Sequence, residues 1–194
     1  MIKEFVAQLK PALLSLVVLT LITGFAYPAL ITGVSQVRFP RQANGSMVMK
    51  DGKPVGSELI GQPFADNKHF WSRPSATSPN GYNAQSSSGS NLAISNDAQT
   101  QAVKDRVAAF RAADPDNKDS IPADLVTASA SGLDPHLSPA ATYYQVARVA
   151  KARGVPEDKV RALVAQNVED RTFGILGEPR VNVLKLNMAL EELK

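Results

Sequence analysis

Pro11 to Val34 reads PALLSLVVLTLITGFAYPALITGV, an uncharged stretch that decides the layout of the chain. As a helix it spans about 36 Å at about 1.5 Å per residue. That is enough to cross a hydrocarbon core of roughly 30 Å with some tilt. No second apolar run of comparable length follows. The expected organisation is a cytoplasmic N-terminus (residues 1–10), one membrane helix (11–34) and one soluble periplasmic domain (35–194). The fold class expected is α+β: one N-terminal transmembrane helix followed by a single mixed α/β extracytoplasmic domain.

A cleaved secretory signal is the rival reading, because Lys3 and Lys10 precede the apolar run. Such signals carry about 7–15 apolar residues before a small-x-small cleavage site. Here the run is longer, and Phe25, Tyr27 and Pro28 stand where small residues are wanted. An uncleaved anchor is expected. Local charge does not orient it, since Lys3 and Lys10 are matched by Arg38 and Arg41. A long domain translocates largely regardless of its own charges, which favours the outside. The absence of cysteine fits either side of a bacterial membrane.

The formal net charge of +3 is a small excess with no Lys/Arg run, and aromatics are sparse. Nucleic acid is not an expected partner. The soluble part is long enough for one domain with its own core.

Met47-Val48-Met49-Lys50, Asp51-Gly52 and Lys53-Pro54-Val55 read as a β-hairpin, Asp-Gly being a favoured two-residue turn. The second strand is expected to continue through Gly61-Gln62 and end at Pro63. Pro74 to Asn96 then carries no charge and seven serines. A loop of this length inside a compact domain is uncommon unless it has a role. The segment is a candidate for partner contact, with Tyr82, Ser87, Ser90, Asn91 and Leu92 as candidate residues.

Helical patterning follows. Asn96 or Asp97 caps a helix to about Ala112, with Val103, Val107 and Phe110 on one face. Ser138 as cap and Pro139 at the first position start another, running to a stop at Gly154. A third begins near Pro156 and turns Val160, Leu163, Val164 and Val168 inward. Val181 to Leu193 reads as a C-terminal helix with a short strand possible at its start. Thr127 to Pro139 is rich in turn formers, and Asp134 within it is a further contact candidate. Thr20, Gly24 and Pro28 fall four apart on the membrane helix, where small residues allow close helix approach.

Catalytic patterns are missing. There is no phosphate-binding Gly-x-x-x-x-Gly-Lys-Ser/Thr, no Asp-Lys-Thr-Gly phosphorylation sequence, no potassium filter and no Gly-x-Ser-x-Gly. His69 and His136 stand far apart without cysteine, so no metal site is expected. A non-catalytic chain is expected.

Six ordered blocks carry a resemblance. They are Gly56 to Phe64, Phe70 to Ala76, Ser88 to Leu92, Asp124 to Asp134, Gln145 to Arg153 and Val181 to Asn187. After one N-terminal span, these resemble the C chain of the bacterial Kdp potassium-transporting ATPase over nearly the whole sequence. The resemblance implies an inner-membrane complex with an A subunit (potassium carrier), a B subunit (P-type ATPase) and a small F subunit, beside membrane lipid. It implies no firmly bound cofactor. It also implies an alternative role, a catalytic chaperone that raises the ATP affinity of the B subunit through a transient ternary complex with nucleotide. Ser138, Gln145 and Arg148 are the nucleotide candidates for that role. Topology opposes it, because a domain outside the membrane meets no cytosolic ATP. Assembly subunit and nucleotide regulator both stay open.

Overall fold

The computed structural model describes residues 2–193. It is mixed helix and sheet, with one long apolar N-terminal helix followed by a small α/β domain, as expected. The chain divides into two compact units between Met47 and Val48.

In the first unit, α1 (Ile2–Thr20) passes through a π-helical turn (Leu21–Ala26) into α2 (Tyr27–Arg38), and a short α3 (Pro40–Ala43) follows. The segment Lys3–Arg38 is long and apolar enough to cross a membrane. The helix extends beyond the uncharged stretch at both ends, and Pro11 lies inside it. The π turn has a local cause in Pro28. Proline offers no N–H to the carbonyl four residues back, and its ring presses on that carbonyl. The preceding turn widens instead, with the Tyr27 N–H donating to Ile22 O, five residues back. Thr23 Oγ1 donates to Leu19 O at 2.7 Å within the same region.

The second unit opens with the expected hairpin, β1 (Met47–Lys50) and β2 (Lys53–Ser57). Asp51 and Gly52 both have positive φ, +51° and +74°, as a type I′ turn requires. β2 stops at Ser57, short of the expected Pro63. Beyond it, side chains take the place of a ladder: Asn182 Nδ2 donates to Glu58 O at 2.8 Å. Gln62 folds back to donate to Val55 O at 2.9 Å.

Residues 58–96 contain no helix or strand. α4 (Asp97–Ala113) follows, capped by Asn96 Oδ1 accepting from Ala98 N, with Phe110 buried. Next come α5 (Ala123–Val126), β3 (His136–Leu137), α6 (Pro139–Tyr144), α7 (Val146–Arg153) and α8 (Glu157–Gln166). β4 (Val168–Glu169), β5 (Arg180–Asn182) and α9 (Val183–Glu192) complete the chain.

Two further expectations need correction. The helix from Ser138 to Gly154 is broken at Gln145, which sits at φ −89°, ψ −9° between α6 and α7. Its side chain is committed to another segment, and its N–H bonds tightly to Thr142 O, three residues back. Val168 does not extend α8 but pairs with Val181 in a strand. The short strand left open at the start of the C-terminal helix is present as β5, and α9 begins at Val183.

The sheet is antiparallel in the order β3-β5-β4, with Leu137 and Val168 both opposite Val181. Val181 is fully buried, and Leu186, Leu190, Val160, Val164, Val146 and Val149 pack into the same core. Arg153 and Gly154 end α7, Gly154 adopting φ +68° where a left-handed cap is needed.

Candidate partner interface

The uncharged loop is a built structure. Ser75 Oγ donates to Gly132 O at 2.6 Å, and Ser87 Oγ and Ser88 N both bond Ser131 O at 3.0 Å. Ser129 N donates to Pro74 O and Gly61 N to Leu133 O. Tyr82 donates its hydroxyl to Arg73 O, and burial raises that hydroxyl's pKa. Backbone is pressed against backbone here. A Cβ at Gly132 would lie 2.5 Å from Thr77 Cγ2 and 2.7 Å from Ser88 O, and Gly132 has φ +66°. A Cβ at Gly61 would meet the Tyr82 ring at 2.5 Å. Only glycine fits at either place.

Asp134 fixes the rim of this cluster. Its carboxylate accepts from Arg73 Nη1 at 2.9 Å and from His136 N at 3.0 Å. Burial works to raise its pKa, but bonds from the His136 side chain and backbone and from Arg73 outweigh it and hold the group down at about 2. Arg73 and Asp134 line a cleft of about 570 Å³ together with Leu59, Leu133 and Ser131. Ser87, Ser90, Asn91 and Leu92 face solvent, while Tyr82 is half-buried. The structure therefore brings Tyr82, Ser87 and Asp134 to one loop cluster.

Ser138, Gln145 and Arg148 are spent on the fold. Ser138 Oγ caps α6 by accepting from Ala141 N at 3.1 Å, and Asp124 Oδ2 in turn accepts from Ser138 N at 2.7 Å. Gln145 is buried and brackets Trp71, its Oε1 accepting from Trp71 N at 2.8 Å and its Nε2 donating to Trp71 O at 3.2 Å. Arg148 is buried too. It donates to Asn67 O at 2.9 Å, His69 O at 3.1 Å and Gln145 Oε1 at 2.7 Å, and its guanidinium stacks 4.6 Å from the Trp71 ring centre. Burial lowers the Arg148 pKa to about 10, against the opposing pull of Asp114 and Asp66, so it stays charged at neutral pH. Asn187 completes the clip by exchanging two hydrogen bonds with Phe70 at 2.8 and 3.0 Å. The sequence reading missed Asp124, Asn187 and the close-packed glycines. Asn187, a polar residue inside the apolar stripe of α9, was the one signal available.

On the membrane helix, Thr20 Cγ2 lies 3.8 Å from where a Gly24 Cβ would stand, so these two share a face.

Residues 9–192 match the family model described as KdpC, K+-transporting ATPase, c chain. The chain belongs to this family. It is 62% identical over 186 residues to the potassium-transporting ATPase KdpC subunit of Polaromonas naphthalenivorans, covering 96% of this chain and 95% of that one. The KdpC subunit of Methylococcus capsulatus is 61% identical over 185 residues, covering 95% and 97%. That of Sorangium cellulosum is 60% identical with the same coverage. Membership in the KdpC family makes the chain a subunit of a potassium-transporting ATPase, working in a complex with other Kdp subunits. With the apolar helix Lys3–Arg38, it is a membrane protein.

Proposed function

We propose that this chain is a non-catalytic accessory subunit of a high-affinity, ATP-driven potassium uptake complex. It assembles and stabilises the carrier (A) and P-type ATPase (B) subunits beside the small F subunit. The anchor lies in the bacterial inner membrane with its N-terminus cytoplasmic and the domain periplasmic. The observation that carries the reading is the loop cluster. A long uncharged segment is fastened at Pro74, Ser75, Ser87 and Ser88 by hydrogen bonds to residues 129–132, while Ser87, Ser90, Asn91 and Leu92 stay exposed. A pre-ordered, uncharged surface binds a partner with little ordering or desolvation cost. On the membrane side, Thr20, Gly24 and Pro28 are the proposed packing face.

The nucleotide reading fares worse on the same ground. Gln145 and Arg148 would have to give up Trp71, Asn67 and His69 to reach ATP.

The test uses the whole complex. Arginine at Ser87 and Ser90 is expected to lower recovery of the chain with its partners, or to slow potassium uptake at low external potassium. Unchanged recovery and uptake would return this surface to solvent. Alkaline phosphatase fused after Lys194 should be active, and a silent fusion with a fluorescent cytosolic counterpart would reverse the topology. ATP affinity of the complex should be unchanged by Ser138→Ala, and a lowered affinity in a complex of normal yield would favour the nucleotide reading.

A further inference from the structure

Between β4 and β5 the chain makes a small projecting turn, Arg171-Thr172-Phe173-Gly174-Ile175-Leu176-Gly177-Glu178, that neither the loop cluster nor the buried clip uses. Its apolar side chains face solvent: Phe173 is 88% exposed, Ile175 74% and Leu176 57%. The turn is nevertheless well built. Thr172 and Leu176 exchange backbone hydrogen bonds at 2.9 and 3.0 Å, and Gly174 N donates to Arg171 O at 2.9 Å. Below them, Arg171 pairs with Glu178 at 2.6 Å and Arg180 with Glu169 at 3.1 Å. Phe173 itself holds φ +56°, flanked by Gly174 at +75°. An aromatic residue in that region is a conformational outlier, kept here in a position where the ring touches water.

We propose that this tip is an anchor that inserts into an apolar, uncharged socket on another subunit of the same ATPase complex. The inference rests on the accessory-subunit reading and names one of its contacts. Three features favour a protein socket. The apolar side chains are contiguous and presented by a stiff turn, so little freedom is lost on docking. An aromatic at the centre is the usual composition of an interface anchor. The stem carries Arg171 and Arg180 against Glu169, Asp170 and Glu178, and the two arginines are already paired. That slight acidic excess, two arginines against three carboxylates, suits an uncharged protein surface, whereas insertion into an anionic bilayer surface is supported by an excess of Lys and Arg.

The experiment compares wild type, Phe173→Ser/Ile175→Ser and Phe173→Leu in the complete complex, purified through a tag on a partner subunit. The double variant should co-purify about tenfold less at matched membrane abundance, with unchanged melting of the purified chain, while Phe173→Leu stays near wild type. Wild-type co-purification of the double variant overturns the proposal. The accessory-subunit reading then stands or falls separately, on whether removing the whole chain still disrupts the complex. A third variant, Phe173→Trp, goes into vesicles of phosphatidylethanolamine and phosphatidylglycerol containing brominated lipid, without partners. Indole quenching beyond that of Trp71 alone overturns the protein socket in favour of a lipid surface. Quenching no greater than that of Trp71 supports it.

Discussion

Residues 66–71 and residues 171–178 are both irregular backbone, and they are held in opposite ways. The first segment has its carbonyls and amides bound by side chains from elsewhere, Gln145, Arg148 and Asn187, all buried. The second is held by its own backbone and by surface ion pairs, and it turns its apolar side chains outward. Where long polar side chains reach inward to an irregular strand of chain, they act as substitutes for a sheet neighbour. Where the chain closes on itself, its side chains are released for other work. Polar residues here build the interior, and apolar residues decorate the exterior, against the usual sorting.

The largest test of that contrast is Arg148→Ala. It deprives the carbonyls of Asn67 and His69 of a charged donor and uncovers Trp71. Hydrogen bonds to charged groups are worth about 1.5–3 kcal/mol each, so a loss of at least about 3 kcal/mol is expected. Thermal unfolding of the full chain in detergent, followed by Trp71 fluorescence, reads it. Arg148→Lys should rescue little, since an ammonium cannot reproduce the planar fork. A loss under about 1 kcal/mol would mean the clip is decorative.

Gly132→Ala comes next, at about 2–3 kcal/mol. It combines a positive φ with contacts of 2.5 and 2.7 Å to Thr77 and Ser88. Partner recovery should fall with stability, because the same contact holds the uncharged loop in place.

Asp134 gives a smaller, pH-dependent effect. Its folded pKa of about 2 lies below the ordinary aspartate value. Its contribution is therefore present at neutral pH and is lost as pH falls from about 4 through about 2. That shift corresponds to about 2.5 kcal/mol at most. Asp134→Asn should lower stability at pH 7 and leave little difference from wild type at pH 2. An equal deficit at both pH values would show that shape rather than charge matters. Ser138→Ala removes a cap and should cost about 1 kcal/mol without affecting assembly.

At the bottom of the scale stands Phe173→Gly. It removes an exposed ring and relieves a positive φ, so stability should change by less than about 0.5 kcal/mol or rise slightly. A loss comparable to Arg148→Ala would erase the distinction between the two segments.

The layout and most helices were legible because they rest on local signals. The uncharged run marks the membrane helix, Asp51-Gly52 the hairpin turn, Asn96 the start of α4 and Gly154 the end of α7. What stayed hidden depends on partners distant in sequence. Gln145 looks like an ordinary helical glutamine, and only the position of Trp71, more than seventy residues earlier, explains why α6 and α7 part there. Val168 carries a helical period past Gln166, and pairing with Val181 overrides it. Gln145 and Arg148, one turn apart, look like a solvated pair and are in fact buried. In the candidate interface, the absence of charge from 74 to 96 was visible, but the closeness of Gly61 and Gly132 to their neighbours was not. A glycine shows in sequence; what presses on it does not.

The wide turn at Leu21–Ala26 also sets a phase. An α-helix advances about 100° per residue, and a π turn absorbs one residue more than an α turn does. Residues 2–20 and 27–38 are thus offset about one helical step from where an unbroken spiral would put them. Deleting a single residue within 21–26 would shorten the span by only about 1.5 Å and leave its apolar character intact. With the extra residue gone the turn can close to an ordinary α turn and both halves keep their facing, whereas tightening it at full length would swing one half against the other by that angle, separating how far the helix reaches from which way it faces.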